Sequence, residues 1–347
     1  MGRVDTAVAD LPPGAFAFVM ATGIVSVGLD QVGLAVVSAT LLVLAGAAWA
    51  LLVTALVARL VRHPRRALAD LRDPHRAFGY FTLVAGSGVL AVRMTELAPG
   101  VGLTLLALAV VIGLVLGYAV PWAVVLSRQE RPVLAEVDGT WFIWVVASQS
   151  VAVTAAGLEP VVDVAQPELA ALAVAAWSVG LVLYAACAVF VALRLVTYPV
   201  VPQDLDPPYW VAMGAVAITV VAGAKVTEMT TTPIVAATSG LIAGLVVLCW
   251  AWATWLVPVL FAVGVWRHIV HRIPLRYEST WWSIVFPLGM YAVAGMYLGR
   301  ADSLPVVERI GTAWLWVAVT AWVIAAAAMA HGWLRGTVLG AGSTVRR

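Results

Sequence analysis

The chain has 347 residues, 63% of them hydrophobic and 11% charged, with a mean hydropathy of +1.00 and a formal net charge of +2. A soluble domain is nearer a quarter charged, so a soluble fold is excluded, and so nearly neutral a chain has no basic surplus for nucleic acid. Both cysteines, Cys187 and Cys249, fall in apolar stretches, so no disulfide framework is implied.

Ten stretches reach or approach the roughly 20 apolar residues of a bilayer crossing. The first, near 13–29, opens on Pro13-Gly14-Ala15-Phe16 and holds Gly23. It carries no cleavage site, so it reads as a retained span after a short tail, 1–11. The start of that tail matches a myristoylation pattern. Nineteen Arg against one Lys suggest a GC-rich bacterial genome, in which the match is accidental. The second span, 34–60, is plain. Residues 59–76 hold six Arg, a topology signal that also suits contact with anionic headgroups. The third span, 77–93, opens on Phe78-Gly79-Tyr80-Phe81, holds Gly86 and ends on Arg93. The fourth, 99–126, contains Gly113 and Gly117 at helix-contact spacing.

The fifth span, 139–156, opens on Asp138-Gly139-Thr140-Trp141 and holds Ser148-Gln149-Ser150. The sixth, 166–195, is plain. Asp204 and Asp206 stand two apart like a metal–nucleotide pair, but Pro207-Pro208 follow at once and make a turn the better reading. The seventh, 209–225, opens on Tyr209-Trp210, holds Gly214 and ends on Lys225. The eighth, 238–266, carries Gly240 and Gly244. His268 and His271 follow it at i, i+3, a spacing that can hold a metal, but beside Arg267 and Arg272 they read as part of a basic loop. The ninth, 281–299, opens on Trp281-Trp282 and holds Phe286-Pro287, Gly289 and the Gly295, Gly299 pair, with Arg300 next. The tenth, 306–333, holds His331 near its end, and 336–347 form a second tail.

Spanning segments must satisfy their own backbone hydrogen bonds, so these are helices. Odd spans are about 17–19 residues and rich in Gly, Ser, Thr and aromatics; even spans are about 27–30 residues of mostly Ala, Val and Leu, long enough to tilt. Phe16, Phe78, Trp141, Trp210 and Trp282 align at spacings of 62, 63, 69 and 72, the mark of a repeated unit. The unit is a hairpin of one short polar helix and one long apolar helix. The expected fold is therefore all-α and integral to the membrane: one domain over 1–347, its ten helices set as five hairpins in quasi-fivefold array around a central pore. Small residues allow the short helices to approach one another. Gly23, Gly86, Ser148, Gly214, Pro287 and Gly289 are the candidate lining positions. Trp141, Tyr209, Trp281 and Trp282 suit interfacial belts.

The segments before span 1, after span 10 and between spans 2–3, 4–5, 6–7 and 8–9 hold 16 of the 20 Lys and Arg. The positive-inside rule then places both termini in the cytoplasm. Arg93, Lys225 and Arg300, at the opposite ends of spans 3, 7 and 9, form a candidate anion-attracting vestibule. Glu228, at i+3, is placed to pair with Lys225. Pro287 kinks its helix, and Phe286 beside it is a candidate hydrophobic gate. Mid-span positions hold almost no ionisable groups, which favours a facilitated path over a proton-coupled pump. No catalytic motif, cofactor site or metal site is read.

The hairpin pattern, and above all Gly139 to Val153, Tyr209 to Thr219 and Trp281 to Met290, resembles the tellurite-resistance/dicarboxylate transporter family. That family includes plant guard-cell slow anion channels and fungal malate and sulfite transporters, and the likeness covers essentially the whole chain. The resemblance implies five inner helices lining a pore, often in a homotrimer with one pore per subunit, closed by a phenylalanine on the ninth helix. Phe286 stands at that position. The family often has Pro where Trp144 and Ser148 stand here. The expected function is transport of small inorganic or organic anions across a bacterial cytoplasmic membrane. A proton-coupled C4-dicarboxylate carrier is the first alternative. An integral-membrane enzyme or sensor using His268, His271 and the loop aspartates is the second.

Overall fold

The computed structural model describes residues 2–126, 132–162, 165–230 and 232–334. The tail expected at 336–347 and two of the loop arginines, Arg128 and Arg131, lie outside them. Ten described helices are long and apolar enough to cross a membrane: α1 (Pro13–Gln31), α2 (Ala35–Arg62), α3 (Pro74–Leu97), α4 (Pro99–Leu126), α5 (Gly139–Val161), α6 (Gln166–Thr197), α7 (Pro207–Thr227), α8 (Pro233–Val270), α9 (Ser279–Ala301) and α10 (Pro305–Leu334). The largest boundary differences are of five residues, at the end of α5, Val161 against the expected 156, and at the start of α8, Pro233 against the expected 238. Thr232 caps α8 through Val235 N, and Pro233 supplies a first-turn residue that needs no N–H partner.

Each odd helix carries a tight 3₁₀ turn at or near its start: Pro13–Phe16, Phe78–Tyr80 (after one α-helical turn, Pro74–Ala77), Gly139–Trp141, Pro207–Trp210 and Ser279–Trp281. These are the aligned aromatic segments, so the sequence repeat is also a backbone repeat. The five turns share one side of the molecule, here termed the lip side. The opposite side holds the short odd-to-even connections.

Burial separates the two sets. In their most apolar windows the odd helices are 78–89% buried and the even helices 17–22%. The even helices expose Val, Leu and Trp along much of their length, for example Val43, Leu114, Val182 and Trp255. Such a surface is tolerated by lipid and not by water. Each odd helix packs on the next, and α9 closes back on α1. Each even helix packs on its own odd partner and also touches the following odd helix, with α10 reaching α1.

The lips are packed, not belted. Trp141, Tyr209 and Trp282 are buried. Trp141 stacks on Phe78 with centroids 4.6 Å apart, and Trp282 meets Phe18 edge-on at 4.8 Å. Aromatic pairs of this kind add about 0.5–1.5 kcal/mol to their area term. These rings therefore join α5 to α3 and α9 to α1. A Cβ on Gly139 would stand 2.4 Å from the Pro208 carbonyl, so the α5 and α7 lips touch backbone to backbone.

The basic stretch 59–76 is partly turned inward. Arg59 is 2% exposed and pairs with Asp70 at 2.5 Å, and Arg76 pairs with the same carboxylate at 2.8 Å. Arg59 Nε also donates to Ala9 O at 3.1 Å. This network pins two short lip-side helices, Arg3–Ala9 and Pro64–Arg72, to the end of α2. Arg62, Arg65 and Arg72 remain exposed and can face headgroups, while Arg66, also exposed, pairs with Asp10 at 2.6 Å.

Candidate functional site

One axial pocket is lined by all five odd helices. Ile24 of α1, Val89 of α3, Val153 of α5, Val221 and Lys225 of α7 and Tyr297 of α9 surround it. Its walls are almost wholly apolar. The centre of a water molecule has about 20 Å³ to move in, close to the minimum that holds one water.

On α9 the lining positions are Met290, Val293 and Tyr297. They recur at i, i+3 and i+7, one face of a helix. Phe286 is four residues before Met290 on the same stripe, one turn nearer the lips, and is 1% exposed. On α7 the lining positions are Ile218, Val221 and Lys225, and the stripe continues lipward to Gly214. Gly214 meets Pro287: a Cβ added there would lie 2.9 Å from Pro287 Cγ. Pro287 has no N–H to give the Ser283 carbonyl, which loosens the helix beside Phe286.

The other candidate glycines also lie on seams between inner helices. A Cβ on Gly23 would come 2.5 Å from Val89 Cγ1, one on Gly289 would come 2.8 Å from Ile24 Cγ2, and one on Gly86 would meet Val19 at 3.4 Å. They act by letting neighbouring helices close up, while Val, Ile and Met form the wall. Ser148 points elsewhere. Its hydroxyl donates to Ala176 O of α6 at 2.9 Å, so it ties an inner helix to an outer one. The serine on the pocket is Ser150. The stripe rule, applied to each odd span, is the signal that finds Ser150 and Tyr297. Of the glycine pairs, Gly295 and Gly299 pack on Gly311 and Glu308 of α10, Gly113 and Gly117 meet Val84 and Trp144, and Gly240 and Gly244 have open space.

The three far-side cations do not share one environment. Arg93 pairs with Asp30, one contact at 3.0 Å, and its Nη2 donates to Ser38 Oγ at 3.2 Å. Arg300 pairs with Glu308 at 2.9 Å. Carboxylates thus offset both charges, and the pairs brace α3 and α9 against their neighbours. Lys225 differs. Its Nζ lies 4.7 Å from the centroid of the Tyr297 ring and near Gly157 of α5, and it makes no ion pair among the described residues. Glu228 is exposed and does not pair with it. Glu159, at the far end of α5, is an ionisable group that sequence reasoning missed. It is fully buried, and its Oε2 accepts from Thr230 N at 3.3 Å.

At the lip end, His75 Nδ1 stands 2.8 Å from Asp138 Oδ2. Asp138 Oδ1 accepts from Thr140 N at 2.8 Å and from its hydroxyl at 2.5 Å. Asp204 pairs with Arg194 at 3.0 Å, which serves the turn before α7. His268 Nδ1 lies 2.8 Å from Ile273 O, and His271 packs edge-on against Trp266. The described residues contain no cluster of three metal-ligating side chains.

Comparison with known proteins agrees with this architecture. Residues 10–330 match the family model SLAC1, described as voltage-dependent anion channel. An uncharacterized membrane protein of Mycobacterium tuberculosis is 55% identical over 149 residues, 43% of this chain and 76% of the relative. An uncharacterized transporter of Methanocaldococcus jannaschii is 23% identical over 274 residues, 77% of this chain and 76% of the relative. With ten apolar helices in five hairpins and a family match over nearly its whole length, the chain is a multi-pass membrane protein of the SLAC1 family of anion channels and related transporters.

Proposed function

We propose that this protein moves small anions across a bacterial cytoplasmic membrane through the axis of its five inner helices. The lip side and both termini face the cytoplasm, and the reading includes homotrimeric assembly with one path per subunit. The observation that carries the proposal is Lys225: the cation on the axial pocket, without an ion pair among the described residues, in a wall that is otherwise almost wholly apolar. An unpaired ammonium beside low-dielectric walls draws an anion from solution, because desolvated charge is costly without a counter-charge. Phe286, one turn lipward of the pocket on the same face of α9, closes the path by dewetting. Opening requires its ring to leave the axis, and the weakened turn at Pro287 gives it room to move. One ammonium balances one negative charge, so a singly charged ion is favoured over a dicarboxylate.

Reconstitution into liposomes with chloride, nitrate, sulfate and malate tests this reading. Flux of the singly charged ions that does not require a proton gradient supports it. Malate flux that saturates and follows a pH gradient would replace it with the carrier alternative.

A further inference from the structure

Four of the inner helices bring acidic groups to the lip side directly before their first turns: Asp73, Asp138, Asp206 and Glu278. Asp73 caps His75 N, Asp138 caps Thr140 N, and Glu278 lies 3.5 Å from the Thr280 hydroxyl. Asp206 has no such task. Its side chain does not cap α7, and its Oδ1 is buried without a hydrogen-bond partner.

The charges that act on Asp206 come from four other elements. They are Asp138 on the α5 lip, Arg267 near the end of α8, His75 at the start of α3 and Glu278 on the α9 lip. Arg267 directs its Nη1 to the carbonyls of Pro202 and Gln203 at 3.1 and 3.2 Å and makes no ion pair with Asp206. Asp204, on the same segment, is occupied by Arg194. The α5 and α7 lips meet backbone to backbone at Gly139 and Pro208, so Asp138 and Asp206, each one or two residues before that contact, flank it. Both oxygens of Asp138 already accept hydrogen bonds, from His75, Thr140 N and the Thr140 hydroxyl, whereas Oδ1 of Asp206 accepts none.

We infer that Asp206, beside the Asp138–His75 pair, is a proton-binding site at the cytoplasmic mouth, through which cytoplasmic pH sets anion flux. The flux part rests on the transport function proposed above; the proton site does not. Burial first, and then the Asp138 charge, push the Asp206 carboxyl up to about 7. Protonation from the cytoplasm uses an oxygen that breaks no bond in accepting it. It removes one negative charge from a mouth that anions must cross, so acid raises flux and alkali lowers it.

Two measurements on Asp206→Asn test the site. In liposomes, wild-type anion flux should fall about threefold or more from pH 5.5 to 8.5, while the Asn protein should lose most of that fall and keep only the part due to His75, the histidine bonded to Asp138. The same pH profile in both proteins would overturn the coupling. Melting in detergent tests the proton site without flux. The folded chain holds a proton that the unfolded carboxylate, with its ordinary pKa of about 3.9, releases, so wild type loses stability as pH rises from about 4 to 7. The melting-temperature gap, Asn variant minus wild type, should widen across that window and stay level above it. A gap that does not change with pH would overturn the site. A widening gap in a protein that carries no anion would keep the site and discard the transport function.

Discussion

Lys225 lies over the Tyr297 ring, its Nζ 4.7 Å from the centroid, so that α7 and α9 hold a positive charge at the far end of the axial pocket. A cation over an aromatic face keeps about 0.5–2 kcal/mol of attraction without losing its charge to a carboxylate. The charges of Arg93 and Arg300, on the same side, are offset by Asp30 and Glu308.

Lys225→Met should therefore lower anion flux by about tenfold at low ionic strength, and Lys225→Arg should keep most of it. The deficit should shrink as salt rises and screening shortens to about 8 Å or less. Arg93→Gln should leave flux nearly unchanged and cost stability instead. Flux measured in liposomes over a range of salt separates the three variants; equal losses for Lys225→Met and Arg93→Gln would contradict this division of roles.

Gly214 is where α7 and α9 approach beside Phe286. Gly214→Val puts carbon into Pro287, 2.9 Å from a bare Cβ, and should destabilise the fold by about 1–3 kcal/mol. Gly244→Ala, on an outer helix with open space around it, should be neutral or stabilise by up to about 1 kcal/mol. Thermal unfolding in detergent compares the two directly. Equal effects would mean that the seam does not limit packing.

Asp70→Asn should be severe for its size. It leaves Arg59, 2% exposed, without its partner, at a cost of about 3–5 kcal/mol. Replacing both residues by apolar ones of similar volume should recover much of that loss. A double variant no more stable than Asp70→Asn alone would show that Arg59 is held by Ala9 O and Tyr80 in place of the carboxylate.

Topology has its own check. Asp302 is exposed on the far side, Arg65 is exposed on the lip side, and the native Cys187 and Cys249 are buried. In whole cells, an impermeant thiol reagent should label Asp302→Cys and spare Arg65→Cys. The opposite labelling would invert the orientation.

Much of this fold is legible in the sequence because lipid and neighbouring helices ask for different residues. The plain Ala, Val and Leu spans are the exposed even helices, and the Gly-bearing aromatic spans are the buried odd ones. The candidate site is less legible. Gly23 and Gly289 can be recognised as small residues between helices, but whether such a residue lines a hole or a seam depends on helix rotation, which a list of small residues does not record. Ser148 and Ser150 are two positions apart and face an outer helix and the axis respectively. Arg93 and Asp30 meet across 63 residues of chain, beyond any local rule. Lys225 stands out in the sequence as the single lysine, but its freedom from an ion pair is visible only once its neighbours are in place.

The most direct test of the proposed path is anion flux through Phe286→Ala in liposomes, measured beside wild type at equal amounts of folded protein. Phe286 shares the pocket-lining face of α9, next to the loosened turn at Pro287 and one turn from Met290. Removing its ring should open the axis and raise flux well above wild type. A folded Phe286→Ala protein that conducts no more than wild type would contradict a path through the five inner helices closed at this residue.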